Sequence, residues 1–444
     1  MSHPIKIDTL LAARWIVPVE PAGMLLHDHA IAIDQGTIRA ILPHAEAQTR
    51  FAPAEHIVLD QHVLIPGLVN LHTHAAMSLM RGLADELPLM EWLNQRIWPT
   101  EARHVNADFV LDGTRLACAE MLKGGITCFN DMYFFPEASA QAALTAGMRA
   151  AIGMIVINFP TAYASDADDY LAKGLSLRDR YQQHPLLSFC LAPHAPYSVS
   201  DKTFASILTY AEQLDLPIHI HLHETADEIR NSLETTGLRP LERLHQLGLL
   251  GPNLIAVHMV HLSGEEIGLL GQQGCSVVHC PSSNLKLASG FAPIAALLNQ
   301  GVNIGLGSDS AASNNRLDLF EEMRLAALLA KAQSGRADIL PAHQALQMAT
   351  LNGARALGLG EITGSLVAGK AADITAVDFS SLELAPCYDP VSHLVYAAGR
   401  NHVSHVWVNG KMLLNEGKLT TLDEQELLRR TAYWREQIGV MHEE

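Results

Sequence analysis

Residues 218–225, IHIHLHET, place His219, His221 and His223 on alternate positions of a short apolar run that ends in Glu224. In a strand, successive side chains point to opposite sides, so the three imidazoles would share a face. Comparable residues close other apolar runs: His72 and His74 in NLHTH, His194 after LSFCLAP, His258 and His261 in AVHMVHLS, His279 in CSVVHCP and Asp309 in GLGSDS. Imidazole and carboxylate are the donors a catalytic zinc or iron needs, with one coordination position left for water. Taken singly, each has a plainer reading. Asp309 could cap a helix, and a lone His258 or His261 could be a buried structural histidine. The joint occurrence, at the ends of β-like runs, points to a metal centre.

The elements that must position these residues are legible from the hydrophobic pattern. Residues 1–65 read as short strands broken by turns, with Asp34-Gln35-Gly36 between two alternating segments. The part from 366 to 444 answers it with KAADITAVDF and VSHVWVNGKMLLNEGKLT, in which Asn409-Gly410 is a hairpin turn, followed by a terminal amphipathic helix. Together the two ends predict one small β-sandwich built from both termini. Between 66 and 365, apolar runs such as ITCFNDMY and RAAIGMIVI alternate with helical patterns such as DFVLDGTRLACAEMLKGG and DKTFASILTYAEQLD. About eight such units predict an α/β fold, a (β/α)8 TIM-like barrel whose active site lies at the C-terminal ends of the strands. No G-x-G-x-x-G follows an early strand, so a dinucleotide site has no support.

Composition narrows the partners. Thirty Lys and Arg against forty-seven Asp and Glu give a formal charge of −17, which disfavours nucleic acid and anionic membrane surfaces. The N-terminus lacks a signal pattern and no apolar run is long enough to span a bilayer. Six scattered cysteines (118, 128, 190, 275, 280 and 387) form no C-x-x-C pair and read as reduced. The expected compartment is the cytoplasm.

H-x-H after the first barrel strand, histidines after the fifth and sixth, and Asp after the eighth resemble the amidohydrolase superfamily. Within it, MSLMRGLADELPLMEWL, FNDMYFF, APHAPYS, HLHET, HCPSSNLKL and GSDSAASNNRLDLFEEMR are similar to the 5-methylthioadenosine/S-adenosylhomocysteine deaminases, over nearly the whole chain. The related s-triazine chlorohydrolases share much of this frame. The resemblance implies that His72, His74, His221 and Asp309 hold one divalent ion per subunit, with zinc first and iron or manganese as alternatives. It also implies that Glu224 completes an H-x-x-E pair and that His258 hydrogen-bonds the attacking water. His219 then falls deeper in the strand as packing, His223 sits where relatives vary, and His261 is structural. No lysine ends LSFCLAPHAPY to bridge a second metal.

The implied reaction is hydrolytic deamination of an adenosine derivative at C6, a small-molecule nucleoside, releasing ammonia. Glu224, His258 and Asp309 are the expected catalytic groups. Glu224 protonates the ring nitrogen beside the attacked carbon, and Asp309 takes the water's proton. Substrate contacts expected from the resemblance are Glu101 with both ribose hydroxyls, His194 with the purine, and Trp92 as a wall. Members that accept S-adenosylhomocysteine carry an arginine where this chain has Met154. A thioether packs against methionine, while a carboxylate without a cation is costly to bury. The expectation is therefore 5'-methylthioadenosine, with S-adenosylhomocysteine and adenosine less favoured. The alternative is another aminated heterocycle on the same frame: guanine, an oxidised purine or an s-triazine. A non-catalytic barrel is disfavoured because such members lose ligands. A homodimer is a superfamily habit.

Overall fold

The computed structural model describes residues 3–439. Four strands open the chain: β1 (Ile5–Ile16), β2 (Leu26–Asp34), β3 (Thr37–Pro43) and β4 (Phe51–Pro66). Eight follow: β5 (Leu68–Thr73), β6 (Ile126–Tyr133), β7 (Arg149–Val156), β8 (Leu187–Pro193), β9 (Ile218–Leu222), β10 (Leu254–His258), β11 (Ser276–His279) and β12 (Asn303–Leu306). Four more are β13 (Ile374–Asp378), β14 (Val403–Val408), β15 (Lys411–Asn415) and β16 (Lys418–Leu419).

β5 to β12 pair in sequential order and all in parallel. Every residue of β6 and β7 is buried, as expected for strands covered on both faces. The ring closes between β12 and β5, where the Asp309 N–H donates to His72 O at 3.0 Å. Gly307 permits this approach, since a Cβ there would lie 2.8 Å from the His72 Cβ. Helices such as Ala107–Lys123, Pro136–Ala146, Ala167–Tyr181 and Asp201–Leu214 link the strands, forming the α/β barrel read from the sequence. Asn106, Asp166, Ser200, Thr225 and Ser263 each start a helix by accepting the backbone N–H three residues on.

The remaining strands form one continuous sheet in the order β16-β15-β14-β13-β4-β1-β2-β3, so both ends of the chain contribute to it. The sheet curls over a core containing Leu11, Ile31, Ile38, Ile374 and Trp407. Its free edge returns to the other end, with Ile38 N–H donating to Lys370 O (2.9 Å) and Ala372 N–H to Gly36 O (2.8 Å). Both hairpin turns take left-handed backbone, at Gln35-Gly36 and at Asn409-Gly410. The terminal helix Glu424–Gly439 packs on Ala107–Lys123, where the Asp112 carboxylate accepts the Trp434 indole N–H and the Arg430 Nε–H, both at 2.8 Å.

Candidate metal centre and active site

The β5 end carries His72 and His74, the β9 end His221, and the turn after β12 Asp309. Their donor atoms meet. His72 Nε2 and His74 Nε2 each lie 3.2 Å from His221 Nε2, and 3.3 and 3.4 Å from Asp309 Oδ1. The outward nitrogens are spoken for: His74 Nδ1–H donates to Met132 O and His221 Nδ1–H to His194 O (2.8 Å). Backbone carbonyls only accept, so the Nε2 lone pairs of these two rings turn inward. Burial keeps His72 neutral, lowering it to about 4, and holds His221 well below the usual range. Burial would raise Asp309, but its hydrogen bond with His72 and the histidine cluster around it outweigh that and hold its carboxyl well below the usual range. The inward lone pairs of His74 and His221, the His72 Nε2 and the Asp309 carboxylate are packed closely enough that a cation among them would relieve their repulsion. This donor set is one that binds a divalent metal.

Glu224 and His258 stand beside the cluster. His258 Nε2 is 3.7 Å from Glu224 Oε2, too long for a hydrogen bond, so both stay free to bind a third group. Burial, then the Asp309 charge, raises Glu224 to about 8. Burial lowers His258, whose Nδ1 faces Asn284 Oδ1 at 2.9 Å. His223, His258 and Asp309 all have positive φ, a conformation non-glycine residues hold only where surrounding contacts enforce it.

Above lies a cavity of about 600 Å³, within the usual size of a small-molecule site. Glu101, His194 and Trp92 line it with His74, His221, Glu224, His258 and Asp309. Glu101 sits in the helix Trp98–His104 and accepts the Tyr133 O–H at 2.7 Å; burial raises it to about 7. His194 Nδ1 lies 3.0 Å from Ser198 Oγ. Trp92 lies in the helix Leu89–Trp92 and packs into an apolar cluster with Met77, Ile97 and Phe109.

The Amidohydrolase family model matches residues 63–413. A curated relative from Saccharophagus degradans, named 5-methylthioadenosine/S-adenosylhomocysteine deaminase, is 50% identical over 99% of this chain and 98% of its own. The chain belongs to the amidohydrolase family. Among solved structures, an adenosine deaminase from Xanthomonas campestris with bound zinc is similar at a TM-score of 0.97. It is 49% identical and covers 98% of this chain and 100% of its own. An atrazine chlorohydrolase from Arthrobacter aurescens, also complexed with zinc, shares the fold at a TM-score of 0.88 and 24% identity. It covers 96% of this chain and 99% of its own.

In this amidohydrolase one expected substrate contact is misplaced. Met154 does not line the cavity: it is buried, and a Cβ on Gly174 of the outer helix Ala167–Tyr181 would lie 2.8 Å from its Cβ. Strand alternation explains it, because the neighbouring Ile155 faces inward, so Met154 must face the helix layer. Ile155 and Ile157 line the site instead. The three histidines of IHIHLHET do not share a face either. β9 ends at Leu222, and the left-handed backbone of His223 turns its ring away. There Nδ1–H donates to His261 O and Nε2 accepts the Leu241 N–H, both at 3.0 Å. His261 in turn bonds Ser289 O at 2.7 Å. His279 is buried and outside the cavity.

Sequence reasoning missed the residues that hold this amidohydrolase's site in place. His219 Nε2 lies 3.0 Å from His72 Nδ1, so it orients that ring besides packing. Ser283 and Ser313 hydroxyls donate to Asp309 Oδ2 at 2.6 and 2.9 Å, while Oδ1 accepts the Ser310 N–H at 2.8 Å and faces the histidine cluster. The Glu228 carboxylate accepts the His223 N–H (3.0 Å) and the Glu224 N–H (2.8 Å). A signal existed for Glu228: Thr225-x-x-Glu228 is a helix-capping pattern.

Proposed function

We propose that this amidohydrolase removes the 6-amino group of 5'-methylthioadenosine by hydrolysis, releasing ammonia. His72, His74, His221 and Asp309 would hold one divalent ion, and zinc is the proposed ion because the Xanthomonas campestris neighbour is described with zinc bound. When bound, such an ion supplies Lewis acidity that makes water nucleophilic at neutral pH. Glu224, protonated near neutral pH, gives its proton to the ring nitrogen beside the attacked carbon. His258 Nε2 accepts a hydrogen bond from the attacking water and holds it in line. Asp309 Oδ1 takes the water's proton and passes it to the amino group, which leaves as ammonia. The proton lost as the C6 carbonyl forms restores Glu224. Glu101 accepts the ribose hydroxyls, while His194 and Trp92 bound the purine. The apolar cavity walls exclude bulk water from the proton transfers.

One observation carries the choice of nucleoside. Among the described residues, no lysine or arginine lines the cavity, whereas Leu93, Ile97, Phe134, Phe135 and Ile157 do. A methylthio group packs there, while the amino-acid carboxylate of S-adenosylhomocysteine would be desolvated without a cation. The cavity lining, and not Met154, therefore supports selectivity for the methylthio group. A cytoplasmic setting is proposed on the six free cysteines, five of them buried.

The test follows the adenine-to-hypoxanthine absorbance change with metal-loaded protein. kcat/KM is compared for 5'-methylthioadenosine, S-adenosylhomocysteine, adenosine and adenine. A preference of about tenfold or more for methylthioadenosine, ~1.4 kcal/mol in transition-state binding, is the expected result. Equal turnover of the homocysteine adduct overturns the specificity argument. Inactivity on every nucleoside overturns the adenosine reading and turns attention to guanine, oxidised purines and triazines. Chelation followed by reloading with zinc, iron or manganese identifies the ion.

A further inference from the structure

The Glu101 carboxylate is anomalous. It stands at the cavity wall, partly buried, and among the described residues no cation pairs with it. Among the described residues a single hydrogen bond reaches it, from the Tyr133 O–H at 2.7 Å. Each further hydrogen bond it accepted would favour its ionised form. Tyr133 supplies the present one and keeps its proton, since burial and then the Glu101 charge raise its pKa well above the ordinary value. Its ring, buried at the end of β6, is wedged between Phe134 (centroids 5.4 Å apart) and His74 (6.4 Å). The hydroxyl is thus pinned in place, and its anchor is one of the four donors of the metal cluster.

We propose that Tyr133 is a positioning residue for nucleoside selection. Its hydroxyl fixes Glu101 Oε1 so that the acceptor sites left on the carboxylate face the cavity at a set distance from the His74 cluster, where a ribose 2',3'-diol fills both. The diol brings the two donors the carboxylate lacks, so a substrate without it leaves Glu101 under-bonded. This rests on the proposed role of Glu101, which the sequence resemblance suggested; the part played by Tyr133 comes from the geometry alone.

The experiment is a cycle of enzyme and substrate changes on the metal-loaded enzyme: wild type, Tyr133→Phe, Glu101→Gln and the double variant, each with adenosine and 2',3'-dideoxyadenosine. Tyr133→Phe should lower kcat/KM on the diol substrate about tenfold, chiefly through KM. On the dideoxy substrate its penalty should be under about twofold, with metal content unchanged in both cases. Adding Tyr133→Phe to Glu101→Gln should cost nothing more, because the two act through one contact. An equal penalty on both substrates, or additive losses, overturns the role of Tyr133. A wild type that does not distinguish diol from dideoxy substrate overturns the role of Glu101 itself, which is a separate failure. Should Tyr133→Phe fold poorly, the Glu101→Gln row still decides: a loss equal on both substrates removes the carboxylate–diol contact on which Tyr133 depends.

Discussion

At the scale of single residues, the site separates two carboxyls by environment. Glu224 is raised to about 8 by burial and the charge of Asp309, whereas Asp309, among histidines and serine hydroxyls, is held ionised. Groups pushed apart in this way divide into acid and base. In the proposed role of proton donor, Glu224 works in its protonated form, so kcat/KM should fall as pH rises through its pKa. A cation at the histidine cluster lowers that value, so the alkaline limb should lie at or below about 8. The pH profile of kcat/KM checks this, and Glu224→Gln should lose about 10²- to 10⁴-fold in kcat. A second expectation concerns the misplaced methionine. Met154→Ala should cost about 2–5 kcal/mol of stability, because the residue fills core against Gly174. KM for methylthioadenosine should not move. Ile157→Arg, by contrast, places a cation in the lining and should shift preference toward S-adenosylhomocysteine. Denaturant titration and substrate competition on the two variants separate core from cavity.

At the scale of elements, the strand ends supply donors and the first turns behind them set their aim. Glu228, one turn into the helix Ala226–Thr236, reaches back to two consecutive N–H groups and fixes the backbone that carries Glu224. Glu228→Ala leaves both donors buried and unpaired, at about 1–3 kcal/mol each. kcat should drop about tenfold while metal content stays constant, which steady-state kinetics beside elemental analysis would show. The pattern of alternating strands and helices was legible because period and turn chemistry are local. Asp34-Gln35-Gly36 and Asn409-Gly410 form the expected turns, and β6 spans the ITCFNDMY run. Barrel geometry gathered the candidate histidines and Asp309 at the strand ends, and the resemblance to the amidohydrolases singled out His72, His74, His221 and Asp309 among them. What escaped is what depends on where a strand stops. A left-handed residue after Leu222 turned His223 outward, and one step of alternation turned Met154 into the helix layer. Partners such as Tyr133 for Glu101, or Ser283 for Asp309, are distant in sequence and meet only through the tertiary fold.

At the scale of the whole molecule, the barrel and the curled sheet are joined at the end of the strands opposite the site. Arg149 opens β7 and Asp373 immediately precedes β13. The guanidinium Nε–H donates to Asp373 Oδ2 at 2.8 Å and Nη2–H to Oδ1 at 3.3 Å, with both side chains buried. The same carboxylate accepts the Asn409 N–H of the sheet hairpin at 2.7 Å, so one group ties three segments. A buried ion pair contributes little net stability over an apolar pair of equal volume, yet removing one partner strands the other charge, at about 3–5 kcal/mol. Arg149→Met should therefore destabilise strongly, and Arg149→Met with Asp373→Leu should recover much of the loss, short of what the Asn409 bond contributed. Because the pair lies at the start of β7 and the cavity at its end, kcat/KM per folded molecule should be unchanged in both variants. Thermal unfolding beside activity corrected for the folded fraction checks both halves. A fall in specific activity in the double variant would mean that the sheet positions the site through β7, beyond holding the barrel together.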